Sequence, residues 1–449
     1  MEVTPVRKRN IWLLAVLLFS IVLTGCAMQT VDDLYSPPKR SQEYNDLQKA
    51  IDSVMPDLVY CAPLSGENQQ TVQMADLDGD GEAEFLLFAR GHGEKPLQIL
   101  IFSHEGSDFA LRYTIESSGY AFDQVEYVQM DDRPGLEVVV GRQVSDQVFR
   151  SVSVYTFADG EVETMMSTRY SKFLTCDLDE DSRYEVLVLC PGQADTDNGV
   201  AELYSCGEKG IERSTEVSMS EPVDQIKRIM ASRLDGGTPG VYVASSVGES
   251  AIITDVFALI DGKFCNVSFS SESGTSVNTL RNYYVYAADL DEDGVIELPS
   301  LISMRTINLT QPHERQYLIR WYAMTASGGE VDKQYTYHNY AGGWYLLLSE
   351  EWAPRVTVEH VKSDYEERFD FYVWDERCQN ADKLLTVFAI TGSDREEAAM
   401  QNNRFVLNKT ESTIFAANLE GASAACGLTR ESVTEAFRLI RMDWKTGET

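Results

Sequence analysis

The sequence predicts an all-β propeller of about five four-stranded blades, with six or seven as alternatives, followed by a small α+β domain. Two observations lead to this fold class: an acid-rich phrase of nine residues that recurs along the chain, and β-rich runs between its copies. Three complete and two acid-poor copies begin at 76, 129, 177, 233 and 289, with spacings of 53, 48, 56 and 56 residues. A period near 50 residues with four short strands per unit is typical of a propeller blade.

The first unit shows how the strands are assigned. Runs rich in β-branched and aromatic residues cover 71–75, 84–89, 97–103 and 109–115, with glycine-containing turns between them. Comparable runs follow the later copies as far as Tyr340. We therefore predict that the propeller, together with an N-terminal helix, occupies residues 41–340.

Residues 41–55 have a helical pattern instead. Leu47, Ile51 and Val54 fall on one stripe, and Pro56 ends the segment. We expect this helix to cover an edge or one face of the propeller.

The three complete copies predict metal sites. Each has Asp at positions 1, 3 and 5, a turn-forming Gly or Ser at position 6 and Glu at position 9, so that oxygens converge as calcium requires. The predicted ligands are the side chains at positions 1, 3, 5 and 9 and the carbonyl at position 7: Asp76, Asp78, Asp80, Glu82, Glu84, Asp177, Asp179, Asp181, Arg183, Glu185, Asp289, Asp291, Asp293, Val295 and Glu297. We expect about three structural calcium ions.

Solvated acidic turns are the alternative for these copies. The acid-poor copies at 129–137 and 233–241 lack the carboxylates for a full shell and are predicted to be empty turns. These phrases resemble the FG-GAP or VCBS-type repeats of integrin-like β-propellers, whose Asp-rich loops bind calcium. The resemblance covers roughly residues 56–340, and Ser182 departs from it by replacing the usual Gly.

The first 26 residues predict a lipoprotein signal peptide. A basic stretch at 7–9 precedes an apolar run at 11–23 that is too short to span a bilayer. Residues 23–26, Leu-Thr-Gly-Cys, resemble a bacterial lipobox, which implies cleavage before Cys26 and lipidation of its sulfur. An ordinary signal peptide with an incidental Cys is the alternative. Residues 27–40 are expected to be a linker, and the location the extracytoplasmic face of the bacterial cell membrane.

The repeat stops near residue 341, and 341–449 are predicted to form the α+β domain. Alternating runs at 356–360, 369–374 and 384–391 precede a helix capped by Thr429. This order resembles the Mog1/PsbP-like domain attached to bacterial surface lipoproteins, which is generally a binding or assembly module. Trp344 and Trp352 are either exposed ligand contacts or buried core aromatics.

Charge and cysteine usage narrow the partners. Thirty-eight basic against 71 acidic residues give a net charge of −33, which argues against nucleic acid and anionic lipid headgroups. The eight cysteines include no CxxC pair. They are either free buried thiols, as in the run ending at Cys190, or two of them form a disulfide. The expected partners are the membrane, through the lipid anchor, and a protein or glycan ligand.

Catalytic motifs such as GxSxG, HExxH and the P-loop are missing from the sequence, and His313 has no identifiable partner. The sequence therefore predicts a lipid-anchored, extracytoplasmic, calcium-stabilised binding or scaffold protein that is not an enzyme. The alternative is a carbohydrate-active hydrolase that uses acids at the propeller channel, where two carboxylates would have to converge.

Overall fold

The computed structural model describes residues 42–440 except 107, 145–149, 159, 193–197, 208–209, 283–284, 308–315, 376 and 378. The predicted signal peptide, Cys26, the linker and His313 therefore lie outside the described residues. Within them, none of the helices has the length and apolar character needed to cross a membrane.

The chain is mostly antiparallel sheet, and its sheets follow one another along the sequence. Sheet 1 contains Val59–Tyr60, Val72–Ala75, Glu84–Arg90, Leu97–Glu105 and Asp108–Ser117. Sheet 2 contains Ala121–Val128, Glu137–Gln143, Arg150–Ala158 and Glu161–Tyr170. Sheet 3 contains Lys172–Cys176, Glu185–Pro191, Gly199–Gly207, Gly210–Arg213 and Val217–Ser218.

Sheets 4 to 6 complete the series. Sheet 4 contains Ile226–Arg233, Pro239–Val247, Ala251–Ile260 and Lys263–Asn266. Sheet 5 contains Glu297–Ser303, Tyr317–Met324, Glu330–Asn339, Trp344–Leu348 and Phe437–Leu439. Sheet 6 contains Val356–Lys362, Glu366–Trp374, Ala381–Ile390, Phe405–Lys409 and Ile414–Leu419. The described α-helices are α1 (Gln42–Val54), α2 (Arg395–Ala398) and α3 (Arg430–Ala436).

Neighbouring sheets stack face to face through alternating side chains. In the strand Glu84–Arg90, Leu86 and Phe88 pack into a cluster shared with sheet 2, while Phe85 and Leu87 pack into another shared with α1. Because side chains alternate between the faces of a strand, a strand buried on both faces has a continuous apolar run. Similar clusters join sheets 2 and 3, 3 and 4, 4 and 5, and 5 and 6.

The two ends of this stack are covered by different elements. Leu47 and Ile51 of α1 are buried on sheet 1, as the helical stripe predicted. Sheet 6 packs against sheet 5 through a core that includes Trp344 and Phe371. Among the described residues, no hydrophobic cluster joins sheet 1 to sheet 5 or sheet 6.

Sheet 5 spans the residue at which the sequence predicts a domain boundary. Residue 341 lies in the turn between the paired strands Glu330–Asn339 and Trp344–Leu348, and Phe437–Leu439 returns to pair with the second of them. The division into domains stays a prediction. Trp344 and Trp352 are 0% and 3% exposed, which confirms the buried alternative for both.

Two local predictions in this region have different outcomes. Thr429 caps α3 as expected, because its hydroxyl oxygen accepts the Ser432 N–H at 3.1 Å. Residues 393–396, Ser-Asp-Arg-Glu, have the sequence of a capping box and predict a second cap, but this prediction is wrong, because α2 begins at Arg395 and its N-cap, Asp394, makes no side-chain capping bond.

The described cysteines do not form disulfides. Cys61, Cys176, Cys190, Cys206, Cys265 and Cys426 are free thiols. Cys176 is buried, whereas Cys190 is only half-buried and its thiol lies 3.1 Å from the Arg169 carbonyl oxygen. The prediction of a free thiol at Cys190 is therefore confirmed, whereas its burial is only partial. Cys378 lies outside the described residues.

Candidate metal loops and a cleft between sheets 5 and 6

The three acid-rich loops each bring three carboxylates together. Positions 1, 3 and 9 offer oxygens within 4.8 Å of one another in three clusters: Asp76, Asp78 and Glu84; Asp177, Asp179 and Glu185; Asp289, Asp291 and Glu297. The Glu at position 9 opens the strand that follows each loop and is oriented by the backbone. The N–H groups of Leu77, Leu178 and Leu290 each donate to it at 2.8 Å.

The turn in each loop needs positive φ at positions 4 and 6. Position 4 is Gly79, Glu180 or Glu292, with φ of 74°, 61° and 63°, and position 6 is Gly81, Ser182 or Gly294, with φ of 89°, 70° and 84°. The Asp at position 1 accepts the N–H of position 6 in all three loops, which closes the turn. A turn-forming residue at position 6 was predictable from all three copies, whereas at position 4 only Gly79 signals a positive φ in the sequence.

The acids at position 5 point to the backbone instead of the clusters. Asp80, Asp181 and Asp293 each accept the N–H of position 7 at 2.7 to 2.8 Å, which belongs to Glu82, Arg183 and Val295 respectively. The structure thus brings together positions 1, 3 and 9 of the predicted ligand sets. The contributions of positions 5 and 7 stay predictions.

Burial and like charge make these clusters costly without a cation. Burial raises the pKa of Glu185 and of Glu297 to about 7, the neighbouring aspartates raise it further, and the leucine N–H groups oppose the shift. Glu297 is 1% exposed, and its Oε1 is buried without a hydrogen-bond partner. Asp177 Oδ1 is another buried oxygen without one. A divalent cation that prefers oxygen ligands, such as calcium, fits this set of carboxylate oxygens.

In each of the two acid-poor loops, an aspartate is paired with a basic side chain of the protein. Arg133 pairs with Asp131 at 2.6 Å in the second copy. Lys333 from sheet 5 pairs with Asp235 at 2.8 Å in the fourth. These contacts balance locally one acid in each of the two acid-poor copies. That these turns hold no ion stays a prediction.

The third loop is intermediate between these two types. The Arg183 guanidinium bonds Asp181 within the loop and lowers the pKa of that carboxyl, and it also lies 3.6 Å from Asp132 of the second copy. Part of the negative charge in this loop is therefore already balanced by the protein.

Neighbouring loops are joined by a recurring backbone hydrogen bond. The N–H of position 8 donates to the carbonyl of position 1 in the preceding copy: Leu136 to Asp76 at 3.0 Å, Tyr184 to Gln129 at 2.7 Å and Ile296 to Arg233 at 3.2 Å. Between the third and fourth copies, Arg233 pairs with Glu180 at 2.6 Å. The five loops thus form a continuous row, which we call the loop belt.

A separate candidate site is a cleft of about 650 Å³ between sheets 5 and 6. Tyr317, Tyr340 and Tyr365 line it, and Tyr365 is 70% exposed. Its volume lies within the range of small-molecule sites, about 300–1,000 Å³. The cleft therefore combines one exposed and two half-buried tyrosines with polar side chains.

A histidine and a carboxylate are paired in this cleft. His360 Nε2 lies 3.2 Å from Glu367 Oε2, and the imidazole stacks on Phe369 with ring centroids 4.4 Å apart and an interplanar angle of 4°. Lys362 bonds the other Glu367 oxygen and lowers the pKa of this carboxyl, which is therefore an anion. An ionised carboxylate accepts the Nε2 hydrogen and leaves His360 Nδ1 with a lone pair.

A second imidazole, that of His338, also borders the cleft. Its Nδ1 is 3.0 Å from the Tyr340 hydroxyl, while its Nε2 is buried without a hydrogen-bond partner. Burial lowers the pKa of His338 to about 3, so the ring is neutral near pH 7. His338 and His360 were not predicted as site residues, although both lie in segments that alternate as strands do.

No family model matches the chain, and no curated protein matches it. Solved structures that resemble it include the exotype rhamnogalacturonan lyase YesX, with 12% identity over 74% of this chain and 67% of that one and a TM-score of 0.31. Rhamnogalacturonan lyase YesW has 10% identity over 70% of each chain and a TM-score of 0.28. TolB from Acinetobacter baumannii has 10% identity over 75% of this chain and 68% of that one, with a TM-score of 0.24.

These matches correct one prediction. The non-catalytic binding or scaffold function is wrong, because matched structures include rhamnogalacturonan lyases, which are carbohydrate-active enzymes and agree better with the alternative. With TM-scores of 0.31 or lower, this likeness carries no argument for a particular activity of this chain. The residues of the cleft between sheets 5 and 6 carry the functional proposal.

Proposed function

We propose that the protein is a carbohydrate-active enzyme that cleaves glycosidic bonds in the cleft between sheets 5 and 6. The paired His360 and Glu367, in a cleft lined by the half-buried Tyr317 and Tyr340 and the exposed Tyr365, carry this proposal. Tyrosine rings offer apolar faces for the C–H faces of a sugar, and cleft carboxylates accept hydrogen bonds from its hydroxyls. The sequence-based alternative expected acids at a central channel, whereas this pair lies in the cleft.

In the proposed hydrolysis, His360 Nδ1 takes a proton from a water that attacks the anomeric carbon. The bond from that carbon to the bridging oxygen breaks, its electron pair stays on the departing oxygen, and a proton from the medium completes the new hydroxyl. Glu367 holds the imidazole in place and stabilises its protonated form, as a carboxylate does for a general base. Lys362 keeps Glu367 ionised throughout.

The test measures reducing ends released from neutral and acidic polysaccharides by the full chain with calcium present. We expect His360→Asn to lower the rate by about 10²–10⁴-fold, the usual contribution of a general base. Glu367→Gln should lower it in the same direction. Exposed His92 and Glu249 supply the matched controls His92→Asn and Glu249→Gln, which should retain activity. Absence of cleavage by the wild type, or full activity of His360→Asn, would overturn the proposal.

We propose in addition that sheets 1 to 5 are five propeller-type blades and that three calcium ions rigidify their acid-rich loops. Five consecutive antiparallel sheets, each following one copy of the phrase or containing it, support the blade assignment. The buried oxygens of Asp177 and Glu297 that lack partners support the ions. The ions would hold the loops in shape, and the catalytic pair lies elsewhere. The resemblance to a Mog1/PsbP-like domain stays a prediction.

We also propose that a lipid on Cys26 anchors the protein to the extracytoplasmic face of the bacterial membrane. The support is the basic stretch, the short apolar run and the Leu-Thr-Gly-Cys sequence at 23–26. Cys26→Ala should move the expressed protein from the detergent phase to the aqueous phase on detergent partitioning. Equal partitioning of the variant and the wild type would contradict a lipid on this residue.

A further inference from the structure

The three acid-rich loops carry different charges at position 7, two residues before the Glu of each cluster. This residue is Glu82 in the first loop, Arg183 in the loop at 177–185 and Val295 in the loop at 289–297. Its side chain is therefore negative, positive and neutral, respectively. Because the charge at a calcium site tunes the affinity for the ion, the three loops are not equivalent.

Arg183 is bound to the acid at position 5 of its own loop. Its backbone N–H donates to Asp181 Oδ1 at 2.8 Å, and its guanidinium donates to Asp181 Oδ2 through Nε at 2.8 Å and through Nη2. In the described parts of the chain, the aspartates at position 5 of the other two loops form no ion pair with a basic side chain. Lys333 interacts electrostatically with the loop at 289–297, but its ion pair, at 2.8 Å, is with Asp235 of the fourth copy.

The loop at 177–185 still offers oxygens to a cation. Asp177, Asp179 and Glu185 converge within 4.8 Å, and Asp177 Oδ1 is buried without a hydrogen-bond partner. Since the described side-chain contacts of Arg183 are with other carboxylates, it reduces the negative charge beside this cluster without filling it.

From these contacts we infer that calcium binds the loop at 177–185 more weakly than the other two acid-rich loops, and that filling it moves the Arg183 guanidinium from Asp181 to Asp132. This inference rests on the proposed calcium sites. A bound cation repels the guanidinium and attracts Asp181, so it weakens their ion pair. Asp132 of the second copy already lies 3.6 Å from Arg183, and its side chain is 91% exposed, so it can accept the guanidinium without any buried group moving.

The test is a calcium titration of the full chain, with amide hydrogen exchange followed by mass spectrometry in peptides from each acid-rich loop. For the wild type, slowing of exchange at 177–185 should need at least about threefold more calcium than at the other two loops, on the scale of an exposed ion pair. Arg183→Gln should lower the calcium requirement of this loop by a similar factor. Arg213→Gln is the matched control: it removes the same charge from an exposed arginine, which pairs with Glu202 on sheet 3 at 3.0 Å, and should leave all three requirements unchanged.

Asp132→Asn tests the movement of the guanidinium. This variant should raise the calcium requirement at 177–185, because the displaced guanidinium loses the carboxylate that receives it. Combined with Arg183→Gln, it should have no effect, since Asp132 acts on this loop through Arg183. An effect of Asp132→Asn that persists in the double variant would overturn the movement from Asp181 to Asp132.

The outcomes separate this inference from the proposed calcium sites. Equal calcium requirements of the three loops in the wild type, or an unchanged requirement of the loop at 177–185 in Arg183→Gln, would overturn the inference although calcium binding stands. If calcium slows exchange in none of the loops, the proposed sites fail and the inference fails with them.

Discussion

Removal of calcium with a chelator is expected to lower the melting temperature of the protein by several degrees, and added calcium to restore it. One ion at a hundred times its Kd stabilises the folded state by about 2.7 kcal/mol. For domains of about 150–250 residues, 1 kcal/mol corresponds to roughly 2–4 °C. Glu297→Gln should reduce this calcium response, because it removes one charged oxygen from the cluster at 289–297. Thermal unfolding with and without calcium measures both effects.

Glu137→Gln is the matched control for this experiment. Glu137 occupies position 9 of an acid-poor copy, is buried like Glu297 and accepts the Met130 N–H at 2.7 Å. It lies in a copy in which Arg133 pairs with Asp131, so the response to calcium should persist in this variant. Metal binding in these loops would be excluded if calcium did not change the melting temperature of the wild type, or if both variants lost the calcium response equally.

The same experiment has a pH dependence whose sign is fixed by the raised pKa values. Glu185 and Glu297 have a pKa of about 7 in the folded protein against an ordinary value of 4.5. The folded state therefore holds more protons than the unfolded state between these values. In metal-free protein the stabilising contribution of these two groups is therefore fully present below about pH 4.5 and is lost as the pH rises through 7. Calcium binds the ionised carboxylates, so its stabilising effect should grow across that interval.

Trp344→Ala is expected to destabilise the protein by about 3–5 kcal/mol, the usual cost of removing a large buried aromatic. Trp344 is fully buried, stacks on Phe437 with ring centroids 5.4 Å apart and meets Phe369 edge to face at 5.0 Å. The ring thus joins sheet 5 to sheet 6 and to the strand that follows α3. Urea or thermal unfolding measures the loss.

Trp344→Phe is the informative partner variant. Trp344 Nε1 is buried without a hydrogen-bond partner, so that replacing the indole by a phenyl ring removes a desolvated donor while keeping most of the packing. The cost should therefore be clearly smaller than that of the Ala variant. Equal destabilisation by both variants would show that the indole nitrogen has a partner or that the packing requires the larger ring.

The repeats and most strands could be predicted because their signals are local. The predicted run at 84–89 corresponds to the strand Glu84–Arg90, and 109–115 falls within Asp108–Ser117. Alternation and turn residues lie within one unit, so no long-range contact has to be known. The boundary near 341 shows the limit of such signals. The strand Trp344–Leu348 pairs with Glu330–Asn339 before the boundary and, on its other side, with Phe437–Leu439, which is far away in sequence.

The candidate metal ligands could be predicted from the sequence and the cleft could not, because only the ligands lie close together in sequence. The Asp and Glu clusters form within nine consecutive residues, so their spacing in the sequence already predicts their convergence. His360 and Glu367 meet across two paired strands, and Gln316, which precedes a strand of sheet 5, lines the same cleft. Such a site depends on how two sheets pack, which residue spacing alone does not encode. The sequence therefore predicted a binding or scaffold function, because it gives no sign of the cleft.

The loop belt makes the stability of this protein depend on nearest neighbours. Three copies of the phrase donate the position 8 N–H to the preceding copy, and the Arg233 ion pair makes a further link. In linear arrays of this kind, the free energy is approximately a sum of unit terms and terms for adjacent pairs. An ion bound in one loop would therefore slow amide hydrogen exchange most strongly in that loop and its two neighbours, with protection falling off along the array.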